Sequence, residues 1–144
     1  MSVSETEWAV GYLVKRVQQS LRRQCDAALR PSGLSMAQYA AMRALADHPE
    51  ASASELARLC FVTRQSLQDL LAGLRSAGFV RDAKVPPRGR ARSLEVTAAG
   101  AKRLAQAHTA VMSVESAMLD GLSASAQRQL AASLDRCARN LETD

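Results

Sequence analysis

Residues 54–97 read SELARLCFVTRQSLQDLLAGLRSAGFVRDAKVPPRGRARSLEVT. This stretch predicts two short helices, a tight break at Gly78, and a two-stranded hairpin with a basic, Pro/Gly-rich tip. Leu67, Leu70, Leu71 and Leu74 fall at i, i+3, i+4 and i+7, the spacing of one helix face turned into a core. Gly78 stands where a left-handed residue closes such a helix. Phe79-Val80-Arg81 and Leu94-Glu95-Val96 read as short strands, and Pro86-Pro87 with Gly89 between them belong to a loop tip. Charge singles out the same segment. Between Arg58 and Arg92 stand eight Lys/Arg against two acids, Asp69 and Asp82, whereas the whole chain carries 19 basic and 14 acidic residues. The local excess of +6 is larger than the net +5 of the chain, so the remainder is slightly acidic. A basic excess confined to one helix and one hairpin is the footprint of a surface that meets phosphate.

Upstream, Ser52-x-x-Glu55 forms a capping box for the first short helix, with Leu56, Leu59 and Cys60 expected inward and Phe61-Val62 as the turn. Thr63 caps the second helix. Ser35 with Gln38 makes another capping box, opening a helix whose expected stripe is Tyr39, Met42, Leu45 and Ala46 and which Asp47-His48-Pro49 stops. Residues 5–29 read as one amphipathic helix, because Val10, Val14, Val17, Leu21, Cys25 and Ala28 recur at steps of three and four. Downstream, Thr97 is expected to cap a helix running to about Leu119 with Leu104, Ala107, Val111, Val114 and Met118 on its stripe. Gly121-Leu122-Ser123 breaks it. Ser123 or Ser125 opens the last helix, where Leu130, Leu134, Cys137 and Leu141 keep near-heptad spacing. The first and last helices carry more apolar face than a compact middle module covers. They are expected to form a helical layer shared with a second copy of the chain.

At 144 residues, one domain is expected. Apolar residues make up 47% and aromatics only 3%, so the core must be built from Leu, Ala, Val and Met, which favours helices. No apolar run reaches the roughly 20 residues of a membrane span, and residues 1–15 lack a signal-peptide core, so a cytoplasmic chain without a membrane partner is expected. Cys25, Cys60 and Cys137 are widely spaced, without a CxxC. They read as buried small hydrophobes, with a thiol redox sensor as the alternative. His48 and His108 lie far apart and lack HExxH spacing, so no metal and no cofactor are expected. Gly73-x-x-x-x-Gly78 is followed by Phe79, not Lys-Ser/Thr, so it is no phosphate loop, and no GxSxG or paired-carboxylate pattern points to an enzyme.

The face opposite the leucines of the 63–76 helix carries Gln65, Asp69, Ala72 and Ser76, flanked by Gln68, Arg64 and Arg75. A solvated helix face more often shows Glu/Lys pairs. Amides and small residues beside arginines suit base-edge and phosphate contacts in a major groove. Arg88, Arg90 and Arg92 alternate on a tip with no acid from Ala83 to Leu94. Such a tip repels itself unless it grips an anion, and a wing on the DNA backbone and minor groove accounts for it.

The order helix, helix, helix-turn-helix, hairpin, long helices resembles the MarR family of bacterial transcriptional regulators. The carrying residues are Leu56-Ala57-x-x-Cys60-Phe61-Val62-Thr63-Arg64-Gln65-Ser66-Leu67, then Leu74 and Gly78-Phe79-Val80-Arg81, and finally Gly89-Arg90-Ala91-Arg92-Ser93-Leu94-Glu95-Val96-Thr97-x-x-Gly100. The likeness covers nearly the whole chain. It implies a mainly α fold with a small β-hairpin wing. Residues 1–144 form one such domain, with dimerisation helices at 5–30 and 100–142 and a winged helix-turn-helix lobe at 35–97. Two departures stand out. Arg88 replaces the acid that family members place two residues before the wing arginine, and Phe61 replaces a glycine in the turn, which implies a filled rather than a tight turn.

The resemblance also implies a homodimeric, sequence-specific DNA-binding regulator, expected to be a repressor released by a small phenolic or anionic ligand. Its partners would be a near-palindromic duplex and a second copy of itself. The DNA-binding residues carried over are Thr63, Arg64, Gln65, Ser66, Gln68, Asp69, Arg75, Arg88, Arg90 and Arg92, with Arg90 as the wing arginine of the minor groove. Tyr39, Met42 and Arg43 are neighbours of the expected ligand cleft, with Tyr39 and Met42 equally readable as ordinary core, and no ligand residue is assigned. The peroxide-sensing members place their cysteine at a position that is Gly11 here, so Cys25 does not match it. The rivals are a redox-sensing regulator of the same fold and a winged-helix module used only for protein–protein contact.

Overall fold

Side-chain caps set where the helices start. The computed structural model describes residues 4–84 and 94–142. Helix α2 (Met36–Asp47) opens on the Ser35/Gln38 capping box and helix α3 (Ala53–Leu59) on the Ser52/Glu55 box. Thr63 accepts from the Ser66 amide at the start of α4 (Arg64–Ser76), and Ser123 accepts from the Ala126 amide at the start of α6 (Ala124–Leu141). Each cap satisfies a backbone donor that the first helical turn leaves orphaned, a contribution of about 1 kcal/mol apiece. Helix α1 spans Val10–Leu29 and α5 spans Ala98–Met118.

Two strands complete the first of two compact units, Met1–Val114. Strand β1 (Val80–Asp82) pairs antiparallel with β2 (Leu94–Val96) in the register Val80↔Val96, Arg81↔Glu95 and Asp82↔Leu94. The first strand thus begins one residue later than the sequence predicts. Phe79 is tied to the end of α4 instead, its amide donating to the Leu74 carbonyl at 2.9 Å, while its carbonyl accepts from the Thr97 amide at 3.0 Å. The core of this unit gathers Leu29, Met42, Leu67, Leu74 and Val80 with Leu104 and Ala107 of α5. The second unit, Glu115–Asp144, contains α6, along which only Ala126 and Gln127 are partly buried.

Several expectations are corrected. Residues 5–29 are not one helix. Ser4 and Glu7 exchange amide-to-side-chain hydrogen bonds that close a 3-10 turn at Thr6–Trp8, and Ala9 then turns extended before α1 begins. Those Ser4 bonds hold the exposed Glu7 carboxyl below the usual carboxylate range. On α2 the fourth buried residue is Ala41, while Ala46 is exposed. On α3, Ala57 takes the inward place expected of Leu59, which is exposed. Of the cysteines only Cys25 is buried; Cys60 is half-buried and Cys137 exposed. Among the described residues no helix is long and apolar enough to cross a membrane.

Candidate nucleic-acid interface

The turn between α3 and α4 is tight, although a phenylalanine makes it. Phe61 adopts φ +57°, the left-handed region otherwise reserved for glycines such as Gly78 at +81°. The expectation of a filled rather than tight turn is therefore corrected. The Val62 amide reaches back to the Ala57 carbonyl at 3.0 Å, and Val62 packs against the core. The Phe61 ring pays no part of this closure, being 89% exposed. It borders an open depression lined by His48, Ala51, Glu55, Arg58 and Leu59.

From this turn α4 projects with two unlike faces. Leu67, Leu71 and Leu74 are buried, while Arg64, Gln65, Ser66, Gln68 and Asp69 are exposed and contiguous. The exposed polar groups are already organised. Thr63 Oγ1 donates to Ser66 Oγ at 3.0 Å and accepts from the Ser66 amide, and Gln65 Nε2 donates to Asp69 Oδ1 at 3.2 Å. Arg64 makes no ion pair among the described residues, so its charge is available to an external anion.

Arg75 stands apart from this group. It lies in the last turn of α4 and binds Asp82 of β1 at 3.0 Å. Across the hairpin, Arg81 binds Glu95 at 2.9 Å. Both pairs are exposed, and each is worth no more than about 1 kcal/mol. They do neutralise two of the arginines counted in the basic footprint. Arg88, Arg90 and Arg92 lie outside the described residues.

The residues weighed as cleft neighbours divide. Tyr39 and Met42 are buried, and Arg43 holds Asp47 through two hydrogen bonds of 3.1 and 2.7 Å. One contact escaped the sequence reading. Tyr39 Oη and His108 Nδ1 lie 2.8 Å apart, joining α2 to α5 across 69 residues, with their rings stacked at 6.3 Å. No short-range pattern announces such a pair. Burial pushes the Cys60 thiol up from its ordinary value, so little of it is thiolate at neutral pH. Among the described residues no group of three His, Cys, Asp or Glu is placed to hold a metal ion.

Comparison with known proteins gives one consistent likeness. Residues 32–91 match the model of the MarR family. The HTH-type transcriptional repressor Rv2887 of Mycobacterium tuberculosis (strain ATCC 25618 / H37Rv) is 33% identical over 127 residues, 88% of this chain and 91% of that protein. The crystal structure of Mycobacterium tuberculosis MarR family protein Rv2887 in complex with salicylic acid is similar at a TM-score of 0.72 and 32% identity, over 90% of this chain and 96% of that one. The same protein in complex with DNA is similar at a TM-score of 0.71 and 32% identity, over 90% and 97%.

Proposed function

The chain belongs to the MarR family, and from that premise we propose that it is a homodimeric, sequence-specific DNA-binding transcriptional repressor released by a small phenolic acid. The observation that carries the reading is the Thr63-capped α4, which exposes Gln65 and Asp69 opposite its buried leucines and Arg64, Ser66 and Gln68 beside them. A donor- and acceptor-rich helix face of this kind fits the major groove. Two copies of α4 in a dimer enter successive grooves about 34 Å apart, so the operator is a near-palindrome. The wing arginines Arg88, Arg90 and Arg92 add phosphate and minor-groove contacts and make binding strongly salt-dependent.

The relative's structures with DNA and with salicylic acid support both halves of the reading, operator and effector. A ligand that binds better to one lobe spacing than the other shifts the population away from the spacing that fits the operator. The dimer layer is assigned to residues 5–30 and 100–142, whose exposed apolar side chains include Val10, Val14, Val17, Leu130 and Leu134. The protein works by binding, without a catalytic step, and acts in the cytoplasm.

The test is selection of bound duplexes from a random pool, with Arg90→Ala in parallel and salicylate titrated into the wild-type complex. An enriched near-palindrome, weakened by salt, by Arg90→Ala and by salicylate, is the expected result. Absence of binding at low salt overturns the reading.

A further inference from the structure

Asp69 works against affinity. It is the sole acid between Arg58 and Asp82, it is exposed, and it lies about 200° around α4 from the buried Leu67. A carboxylate on that face repels the phosphates of every duplex alike. Nor does an ion pair offset its charge among the described residues. Among the described residues its partner is an amide, Gln65 Nε2 at 3.2 Å, while Arg75 is drawn away to Asp82 at 3.0 Å. A group that costs affinity on all sequences is explained when it recovers affinity on one.

An ionised carboxylate only accepts hydrogen bonds. The Gln65 contact fixes one carboxylate oxygen and leaves Asp69 Oδ2 and Gln65 Oε1, both acceptors, without partners among the described residues. Within the reading of the chain as a DNA-binding regulator, we infer that Asp69, oriented by Gln65, selects a cytosine in each half-site by accepting from its N4 amine in the major groove. Guanine presents N7 and O6 there, and thymine O4 and a methyl group, so neither offers a donor. Adenine offers its N6 amine but sets the N7 acceptor beside it, facing the paired acceptors of the protein. The cytosine amine borders an acceptor on one side only, O6 of its paired guanine, and its own C5–H on the other, whereas the adenine amine lies between N7 and the thymine O4. Asp69 is thus a specificity determinant and Gln65 a positioning residue as well as a DNA contact.

The experiment uses the full chain and a random duplex pool, selected in parallel by wild type, Asp69→Asn and Asp69→Ala. Circular dichroism checks that each variant keeps its helices. Wild type is expected to enrich a near-palindrome with a fixed cytosine in each half-site. Asp69→Asn keeps the shape but adds a donor beside the acceptor, so its preference moves to adenine at that position and nowhere else. Asp69→Ala loses the preference there. On the selected site, replacing that cytosine pair with a thymine pair lowers wild-type affinity by about tenfold or more and that of Asp69→Ala by less than about twofold. A wild-type palindrome whose base preferences are unchanged in both variants overturns the inference and leaves the regulator reading standing. Uniformly tighter binding by Asp69→Ala to all duplexes does the same, marking Asp69 as a merely solvated charge. A fixed adenine in the wild-type site overturns the base assignment. Failure of the wild type to enrich any motif removes the underlying reading along with it.

Discussion

Thr97 Oγ1 donates to the Gly78 carbonyl at 2.7 Å across 19 residues and accepts from the Gly100 amide at 3.0 Å. One hydroxyl therefore caps α5 and ties its start to the end of α4. The fit is tightened at Gly100, which is buried. A Cβ there would collide with the Phe79 carbonyl and come within 2.9 Å of Val96 Cγ1. Gly100→Ala must push α5 off backbone rather than off a flexible side chain, and a loss of about 2–3 kcal/mol is expected. Thr97→Val removes both hydrogen bonds and should cost about 1–2 kcal/mol, with Thr97→Ser retaining most of the stability. Urea midpoints at fixed protein concentration check all three.

Phe61 makes the opposite prediction. A non-glycine residue in the left-handed region costs about 1–2 kcal/mol, and an 89% exposed ring recovers little of it by burial. Phe61→Gly should raise stability by about 1 kcal/mol, read as a Tm higher by roughly 3 °C. A lower Tm would mean that the ring holds the α3–α4 turn after all.

What was legible in the sequence follows the range of the interactions. Ser35/Gln38, Ser52/Glu55 and Thr63 are local devices four residues long, and they place α2, α3 and α4 correctly. The leucine periodicity of α4 likewise identifies its buried face. Periodicity failed where the partner surface decides. Ala41 is buried in place of Ala46 and Ala57 in place of Leu59, because which residues of α2 and α3 are covered depends on the neighbours they meet, which no single-helix pattern contains. Long-range pairs were invisible for the same reason. Tyr39 with His108 and Arg75 with Asp82 become neighbours only after folding. The acceptor-only character of Asp69 was present in the sequence from the start, but its orientation by Gln65 needed the helix.

The Arg75–Asp82 pair yields a prediction on binding. Asp82→Ala releases the guanidinium at the end of α4 and deletes a negative charge from β1. If the freed Arg75 gains one phosphate contact, the slope of log affinity against log salt steepens by about 1, equally on specific and unrelated duplexes. Arg75→Ala should leave the wild-type slope nearly unchanged, since that arginine is already engaged. Fluorescence anisotropy over a salt series distinguishes the two.

The cysteines should differ in order of reaction. Cys137 is exposed, Cys60 is half-buried with its thiol pushed up by desolvation, and Cys25 is buried. Alkylation near pH 8 should label Cys137 first, Cys60 more slowly and Cys25 only on unfolding. The sign of the pH effect follows. Because folding raises the Cys60 pKa, the neutral thiol is favoured in the native state, so this contribution to stability is full below the unfolded pKa and declines as pH rises through the folded one. Cys60→Ser should flatten that alkaline decline.

The apolar stripe of α6 bears on assembly. Leu130 and Leu134 are 38% and 46% exposed, on a helix in which no residue is buried. An 18-residue helix with so much apolar surface in water is stabilised poorly by propensity alone and needs a partner face. The paired substitution Leu130→Glu and Leu134→Glu keeps helix-forming residues at exposed positions, so helicity should survive while the dimer dissociates. Sedimentation should then report a monomer. Operator affinity should fall by on the order of 10²-fold or more, because a lone lobe loses the effective concentration that the linked second half-site supplies. Retention of the dimer would shift the interface to other faces, with the exposed Val10, Val14 and Val17 of α1 the next to substitute. Retention of operator affinity by a monomer would instead break the link between two-fold symmetry and palindromic recognition on which the operator prediction stands.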